Sequence, residues 1–327
     1  MLNKHDFSYT FLGDKMLKTK ALRKILITTL SLFMILTVFS ISTMNNKNDN
    51  TLRTNLEIEN NLPKEYTIYL LNEDNLLVKK KIYIDSESKK DLISKIVNSL
   101  IENKTNNLTY NLYGPIPKKT KIREIIIGNK LVTIDFSKEL LNVSVDKEKQ
   151  MVTSIVHSIL DLGEFEGVSI LVEGESLIRY PNSKEKINAV LNKDLPINSM
   201  YDITSRDNIN RVVVYYIEKI DNDTLYVPVT KYLNDNREKI KIIVEELTSS
   251  YIYESNLMSF LNSKTELLSY NEENNVMYLN FNDYLFDNND KLLEEVIYTI
   301  AYSVFDNYDV DMVMFEVNNE LIRSINR

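Results

Sequence analysis

Asp135 and Ser137 are the most prominent candidates for chemistry, because they stand at the end of an apolar run that begins at residue 132. A carboxylate in such a place can act as a general base or bind a ligand. Short side chains that carry oxygen also accept backbone N–H groups at turns. A second copy of the segment, 145 residues later, has Asn280 and Asn282 at these positions. It keeps the acceptors and removes the ionisable group, so the pattern favours backbone capping over catalysis.

His157 is the only histidine outside the first 24 residues. Its neighbours are apolar residues that recur at helical spacing, and the second copy has Tyr302 in its place. A metal site would need further histidines or clustered carboxylates at ligand spacing. We therefore expect His157 to be a ring packed on a helix face rather than a base or a metal ligand.

Acidic residues are dense enough in one stretch to raise the question of Ca²⁺ binding: Glu164, Glu166, Glu173 and Glu175. The D-x-[DN]-x-[DN]-G pattern of a calcium loop does not accompany them, and the second copy keeps only Glu316 and Glu320 nearby. We expect a solvated acidic surface there. A carboxylate pair for glycoside hydrolysis stays open, because the two partners can be far apart in sequence.

The composition excludes several classes of function. The chain has 327 residues, a net charge of −8, no cysteine and six glycines. Without cysteine there is no disulfide, zinc ribbon, iron–sulfur cluster or thiol nucleophile, and no glycine pattern forms a phosphate-binding loop. The acidic balance argues against sequence-independent nucleic-acid binding. The sequence therefore predicts no catalytic residue, no cofactor, no metal site and no nucleic-acid partner.

Residues 25–44 form an uncharged apolar segment of 20 residues behind a basic leader at 1–24. At about 1.5 Å per residue such a helix spans the ~30 Å hydrocarbon core of a bilayer. The leader holds six of the 39 basic and two of the 47 acidic side chains, which leaves 33 and 45, a net charge of −12, after residue 44. Basic residues before a membrane segment favour a cytoplasmic N-terminus. We therefore expect a single-pass anchor in the cell membrane, with the bulk of the chain outside the cytoplasm.

Two alternatives to an anchor follow from the same segment. A cleaved signal peptide stays open, because the small residues Ser40 and Ser42 follow an apolar run of about 15 residues. A buried core helix is disfavoured, because the segment has no polar face and the polar stretch 45–64 after it is predicted to be a disordered linker.

An internal repeat organises the rest of the chain. At an offset of 145 residues two pairs of segments align: 132–141 with 277–286, and 168–175 with 313–320. One residue further apart, 66–75 aligns with 212–221. Two copies of one domain are therefore predicted, at 65–180 and, more diverged, at 211–327. The stretch 181–210, which contains prolines and asparagines, is predicted to be a linker.

The elements follow the same order in each copy. In the first copy, alternating apolar runs predict a hairpin, and helical spacing predicts a helix capped by Ser86 or Ser88. They are followed by strands at 122–127 and 131–136, a helix at about 146–162 and a strand at 168–172. This order predicts an α+β fold, in which two tandem copies of a small mixed β-sheet are each covered by two helices, behind one N-terminal transmembrane helix.

The segment IPKKTKIREIIIGNKLVTIDFSKEL, followed by an apolar helix and GVSILVEGE, resembles the GerMN-domain family of sporulation and spore germination. The most specific part is 132–137 together with 172–174 after the helix. The resemblance covers most of 65–180 and, more weakly, of 211–327. It implies a non-enzymatic domain that is similar to the ring-building modules of sporulation and secretion complexes.

Two departures from the family pattern change what the resemblance implies. Typical members are lipoproteins held by an acylated cysteine, which this chain lacks. It would depend on residues 25–44 instead. The second copy also replaces Asp135, Ser137 and Gly174 by asparagine, which marks it as a diverged member.

These observations predict a membrane-anchored, extracytoplasmic scaffold or assembly protein in sporulation and spore germination. Its expected partners are other envelope or sporulation-complex proteins, with possible self-association, because small α+β modules with open strand edges suit lateral contacts. A peptidoglycan-binding or cell-wall remodelling protein is the alternative. An extracytoplasmic sensor is disfavoured, because a leader of about 24 residues has no room for a cytoplasmic output domain.

Overall fold

The computed structural model describes residues 63–102, 112–220, 223–249, 257–287 and 291–327. The predicted leader at 1–24, the predicted membrane segment at 25–44 and residues 45–62 of the predicted linker lie outside the described residues. Within the described ranges, no helix is both long and apolar enough to cross a membrane.

The first copy is built from three antiparallel pairs of consecutive strands and two α-helices. In chain order its elements are β1 (Lys64–Leu71), β2 (Leu77–Ile84), α1 (Lys89–Ser99), β3 (Ile122–Ile127), β4 (Leu131–Phe136), the 3₁₀ helix Lys138–Asn142, α2 (Glu148–Leu160), β5 (Gly167–Val172) and β6 (Glu175–Ser176). The helix α1 begins as predicted, because the Ser88 hydroxyl accepts the N–H of Asp91 at 3.1 Å. The predicted strands at β3 and β4 are confirmed, whereas β6 was not predicted.

The second copy repeats this order. Its elements, with one strand before them, are β7 (Met200–Asp202), β8 (Ile209–Ile220), β9 (Asp223–Asn234), α3 (Lys239–Thr248), β10 (Leu267–Glu273), β11 (Val276–Phe281), the 3₁₀ helix Asp283–Leu285, α4 (Glu294–Asn307), β12 (Met312–Val317) and β13 (Glu320–Asn326). The bounds of β11 and β12 lie 145 residues after those of β4 and β5. The predicted repeat is therefore confirmed in three dimensions.

Each copy contains a small mixed sheet, with the strand order β3-β4-β5-β6 in the first and β10-β11-β12-β13 in the second. The central strands β4 and β5 run parallel, with Val132 opposite Val168, and the outer pairs run antiparallel. This confirms the predicted mixed sheet. The helix α2 does more than cover one face, since it contacts both β5 and β1. Its side chains are buried all the way from Met151 to Leu160, which an apolar helix requires when it has a sheet on each side.

The hairpins of the two copies form a third sheet that crosses the boundary between the repeats. Its strand order is β1-β2-β9, and both β8 and β7 pair with β9. The strand pairing between the copies joins Lys79 of β2 to Tyr226 of β9. One hydrophobic cluster contains buried residues of both copies, from Ile68 to Ile325. The two copies therefore share a sheet and a core.

The prediction that 181–210 is only a linker is wrong. The strand β7 lies inside this stretch and pairs in parallel with β9, and Leu191 and Ile197 are buried. Lys64, the last residue of the other predicted linker, already belongs to β1. In the stretch 181–210, β9 accepts backbone groups of β7, and the core accepts the side chains of Leu191 and Ile197.

Helices close the two outer edges of the shared sheet. On β1, the Tyr69 N–H donates to the hydroxyl of Ser158 at 3.0 Å, and the Ser154 hydroxyl donates to the Tyr69 carbonyl at 2.6 Å. On β8, the Tyr215 N–H donates to the hydroxyl of Ser303 at 2.9 Å. Side chains of α2 and α4 thus bind backbone groups that another strand would otherwise use.

Candidate functional site between the two repeats

Asp135 and Ser137 bind backbone amides. One carboxylate oxygen of Asp135 accepts the Gly174 N–H at 2.9 Å, and the other lies 3.0 Å from Nη1 of Arg123. The Ser137 hydroxyl accepts the Lys121 N–H at 3.0 Å. The predicted role as backbone acceptors is confirmed, although these amides belong to a turn and to the residue before β3 rather than to the segment that follows directly.

The second copy makes the same bonds with amide side chains. Oδ1 of Asn280 accepts the Asn319 N–H at 3.0 Å, as Asp135 does for Gly174. Oδ1 of Asn282 accepts the Glu266 N–H at 3.2 Å. The turn therefore needs an acceptor and does not need an ionisable group.

The dense glutamates lie on the surface, as predicted. All four are exposed: Glu164, Glu166, Glu173 and Glu175. Glu166 forms an exposed ion pair with Lys130 at 3.0 Å, and Glu164 pairs with Lys89. Throughout the part of the chain that the structure describes, no three metal-ligating side chains are grouped to hold an ion.

His157 is a buried ring on α2. Its Nε2 donates to the carbonyl of Leu195 at 2.8 Å, and its ring meets the ring of Tyr69 edge-on at 5.7 Å. Burial lowers the pKa of His157, and the bond to Leu195 offsets this only in part. The predicted packed ring is confirmed. It also ties α2 to the segment that leads into the second copy.

Two equivalent tyrosine–aspartate pairs meet where the copies meet. The Tyr69 hydroxyl donates to Asp161 at 2.8 Å, and the Tyr215 hydroxyl donates to Asp306 at 2.7 Å. Sequence inspection missed this cluster. The signal was present, because these tyrosines and aspartates recur at the repeat offsets of 146 and 145 residues as identical polar residues.

Lysines complete the cluster. Nζ of Lys79 lies 3.4 Å from Asp161, and Nζ of Lys193 lies 3.2 Å from its other oxygen. The same Lys79 ammonium lies 4.8 Å from the ring centroid of Tyr302 and 5.7 Å from that of Tyr215. A cation of the first copy therefore bridges a carboxylate of its own copy and two aromatic faces of the second.

The groups in this cluster shift one another's pKa values. Burial alone would raise the pKa of Asp161, but Lys79 and Lys193 outweigh it and hold that pKa well below its usual range. Burial would lower the pKa of Lys79, and Asp161 together with Asp306 raises it instead. Burial and the nearby aspartates raise the pKa of Tyr69 and of Tyr215. At neutral pH Asp161 is therefore a carboxylate, Lys79 is a cation, and Tyr69 and Tyr215 keep their protons.

A cleft of about 730 Å³ opens beside this cluster. Strands β1, β2 and β13 and helices α2 and α4 form its walls. Its lining is cationic, aromatic and acidic: Lys79, Lys81, Lys193, Arg323 and Arg327; Tyr298, Tyr302 and Phe305; Glu65, Asp161 and Asp306. Side chains of both repeats line this open space.

The pKa shift of Asp161 is opposite to the shift that a general acid requires. A general acid in a glycosidase needs a carboxyl group with a raised pKa, and Asp161 has the opposite shift. Burial raises the pKa of Glu218, but this carboxylate accepts a hydrogen bond from Nδ2 of Asn72 at 2.6 Å and so connects β8 to the first copy.

Asn198 connects the backbones of the two copies directly. Its Oδ1 accepts the Leu77 N–H at 2.9 Å, and its Nδ2 donates to the carbonyls of Leu77 and Pro228, each at 2.8 Å. Beside it, the Thr230 N–H donates to the Ile197 carbonyl at 2.8 Å. These bonds connect β2 to β9 on one side of their short strand pairing at Lys79 and Tyr226.

The chain is a tandem α+β repeat. Ionisable side chains at the boundary between the repeats form ion pairs and hydrogen bonds with one another. The sequence model of the Germane family, described as sporulation and spore germination, matches residues 67–178 and again residues 213–323. The matches cover more than half of the chain, which therefore belongs to the Germane family. The resemblance to GerMN domains is confirmed.

Solved structures show the same architecture. The tandem GerMN domains of the sporulation protein GerM from Bacillus subtilis align with a TM-score of 0.73 at 21% identity, over 81% of this chain and 97% of that chain. At this identity the likeness shows the fold alone. The first GerMN domain of the same protein covers 40% of this chain and 98% of its own, at 17% identity and a TM-score of 0.37 that adds no argument. No curated protein matches the chain.

Proposed function

We propose that this protein is a non-enzymatic, membrane-anchored scaffold that acts outside the cytoplasm in sporulation and spore germination and binds other envelope proteins. The observation that carries the proposal is the boundary between the repeats, where two family domains share one sheet and one core. The ionisable groups at this boundary are engaged with one another instead of being directed at a substrate. A rigid body of this kind offers fixed surfaces to partners.

Co-purification tests the scaffold function. Tagged full-length chain should be cross-linked in sporulating cells, purified and compared with an untagged strain. The expected result is the recovery of extracytoplasmic envelope proteins. Recovery of no protein above the untagged control, together with normal spores after deletion of the gene, would refute it.

The anchor part of the proposal rests on the apolar residues 25–44 and the basic leader before them. The absence of native cysteine makes its test direct, because a single introduced cysteine reports its own side of the membrane. In intact spheroplasts, an impermeant maleimide should label Glu175→Cys and should label Thr10→Cys only after lysis. Labelling of both variants before lysis would contradict the topology.

Peptidoglycan binding is a second candidate, because one aromatic pair is displayed on the surface. The rings of Tyr201 and Tyr232 are stacked, with centroids 5.0 Å apart and planes 8° apart, and Tyr201 is 68% exposed. A flat exposed ring can stack on a sugar. If the full chain pelleted with purified cell wall and Tyr201→Ala abolished this, the second candidate would be favoured. Tyr83→Ala is the control, since Tyr83 is 72% exposed.

A further inference from the structure

The strands around the interdomain cleft contribute to it in two different ways. From β1 and β2 only alternate residues line the space: 65, 67, 79 and 81. Successive side chains of a strand point to opposite faces, so these strands present a face. From β13, by contrast, the successive residues 323–326 and the following Arg327 all line the cleft. Consecutive residues line a cleft when a strand turns its edge toward it.

This edge of β13 is open. β13 is the last strand of its sheet, paired with β12 on one side, and no described strand pairs with its other side. The shared sheet differs, because its outer edges are closed by Ser158 and Ser303. An open edge offers N–H and C=O groups to an extended chain, which is how many domains bind peptides.

The charge of the cleft contrasts with that of the rest of the body. Five cationic and three acidic side chains line it. The chain after residue 44, by contrast, has 33 basic and 45 acidic side chains, a net charge of −12. At its mouth, Lys81 is 57% exposed and pairs with Glu65, and Arg323 is 45% exposed and pairs with Glu294. Exposed pairs of this kind are weak, so an incoming carboxylate can replace one partner at small cost.

We propose that the cleft binds an extended acidic segment of a partner protein, which adds as a strand to the edge of β13. Residues 323–327, which are the last four residues of β13 and the one after it, line the cleft and match an extended segment about 15 Å long. Acidic side chains of the segment meet Lys81 and Arg323, and its backbone pairs with β13. The inference rests on the proposed function, because it names the surface through which an envelope protein binds.

Three short peptides test the chemistry on the purified full-length chain. The probe is a fluorescein-labelled peptide of seven residues in which glutamate alternates with valine. One control replaces each glutamate by lysine, and the other keeps the sequence but methylates alternate backbone nitrogens. Fluorescence anisotropy should give a saturable curve for the acidic peptide and binding at least about tenfold weaker for each control. Equal binding of the lysine peptide, or no effect of N-methylation, would overturn the proposal.

Two matched variants locate the site. Lys81 and Lys130 are each 57% exposed and each paired with one exposed glutamate, but only Lys81 lines the cleft. Lys81→Glu should weaken binding of the acidic peptide at least about fivefold, and Lys130→Glu by less than about twofold. Equal losses in the two variants would place the binding elsewhere and refute the cleft site.

Other outcomes separate this inference from the proposed function. If soluble peptidoglycan fragments bound in a manner dependent on Lys81 and the acidic peptide did not, the cleft would be a glycan site and the proposal would be wrong. If the peptide failed to bind and Lys81→Glu left the co-purified envelope proteins unchanged, the cleft site would be refuted and the scaffold function would stand.

Discussion

At the scale of single residues, Asp161 is the carboxylate that pairs with Lys79, the cation that reaches the aromatic rings of the second copy. It binds the Tyr69 hydroxyl and two lysines, with 11% of its side chain exposed. Asp161→Asn would leave Lys79, 18% exposed, without its carboxylate partner. Removing one partner of a largely buried pair is strongly destabilising, so we expect a loss of about 3 kcal/mol in the free energy of unfolding. Urea unfolding of the full-length variant measures it.

The control for this prediction is Glu166→Gln. Glu166 is 74% exposed and pairs with a lysine that is 57% exposed. Exposed pairs contribute little, so the loss should stay below about 1 kcal/mol. Equal losses in the two variants would contradict the central position of Asp161.

The buried His157 makes the free energy of unfolding depend on pH, and its pKa shift fixes the direction of that dependence. Its pKa is lowered in the folded state by burial, so the unfolded chain binds more protons as pH falls through about 6.5. The free energy of unfolding should therefore decrease as the pH is lowered from 7.5 to 5.5. His157 should contribute at most about 1.4 kcal/mol per pH unit to this decrease. His157→Gln should lose less stability over the same range. A variant with an unchanged slope would show that other groups cause the dependence.

The sequence allowed some of these roles to be predicted and hid others. The role of Asp135 and Ser137 could be predicted because the second copy has asparagine at both positions. Asparagine keeps a hydrogen-bond acceptor and has no ionisable group, so only the acceptor is required. Tyr69 and Asp161 were not singled out, because tyrosines in strands and aspartates near helix ends are common. Only their identity in both copies distinguished them.

At the scale of elements, Gly114 marks the closest approach of two segments. A Cβ on Gly114 would lie 2.1 Å from the carbonyl oxygen of Leu100, and this oxygen is fixed by the N–H of Ile116 at 3.0 Å. Gly114→Ala must push the backbone apart, and we expect a loss of about 2 to 3 kcal/mol. Thermal or urea unfolding measures it.

Gly128→Ala provides the comparison within the same copy. Its nearest neighbour would be the Leu131 oxygen at 3.3 Å, which a small local shift accommodates. We expect a loss below about 1 kcal/mol in the free energy of unfolding, because a surface turn accommodates one added methyl group with a small local shift. A larger loss at Gly128 than at Gly114 would contradict this account of the two glycines.

Elements with a strong local signal were predicted well. The strands β3 and β4 match their predicted bounds, and Ser88 caps α1. The strands β6, β7 and β13 were missed for a physical reason. β6 and β7 are two and three residues long, and β13 alternates poorly, so their pairing depends on partners that local sequence does not reveal.

At the scale of the whole molecule, the two copies should unfold as one cooperative unit. They share a sheet, a core and the three side-chain bonds of Asn198. Asn198→Ala removes these bonds, so we expect a loss of about 3 kcal/mol and a broadened or split transition. Differential scanning calorimetry of the full-length chain measures both quantities.

Asn208→Ala is the matched control for the backbone. Asn208 has φ of 55° and Asn198 has φ of 47°, so both substitutions carry the cost of alanine in the left-handed region. The control should lose about 1 kcal/mol and keep a single transition. Two separate transitions in the unsubstituted chain would contradict the shared body.

The pairing of the two copies in one sheet could not be predicted from the sequence. Comparing the chain with itself revealed the copies, but not that their hairpins pair at Lys79 and Tyr226. That pairing is one residue wide, and the side chain of Asn198 supports it from a segment predicted to be a linker. Such contacts depend on three-dimensional geometry and leave no periodic pattern.

Photo-cross-linking in sporulating cells tests directly whether this two-repeat protein binds envelope proteins outside the cytoplasm, as proposed. A photoreactive amino acid would replace Lys81 in the cleft, Ile126 on the open edge strand β3, or the exposed Tyr201. We expect discrete protein adducts with extracytoplasmic envelope proteins from at least one of these positions. Adducts with peptidoglycan alone, or no adduct at any position, would contradict it.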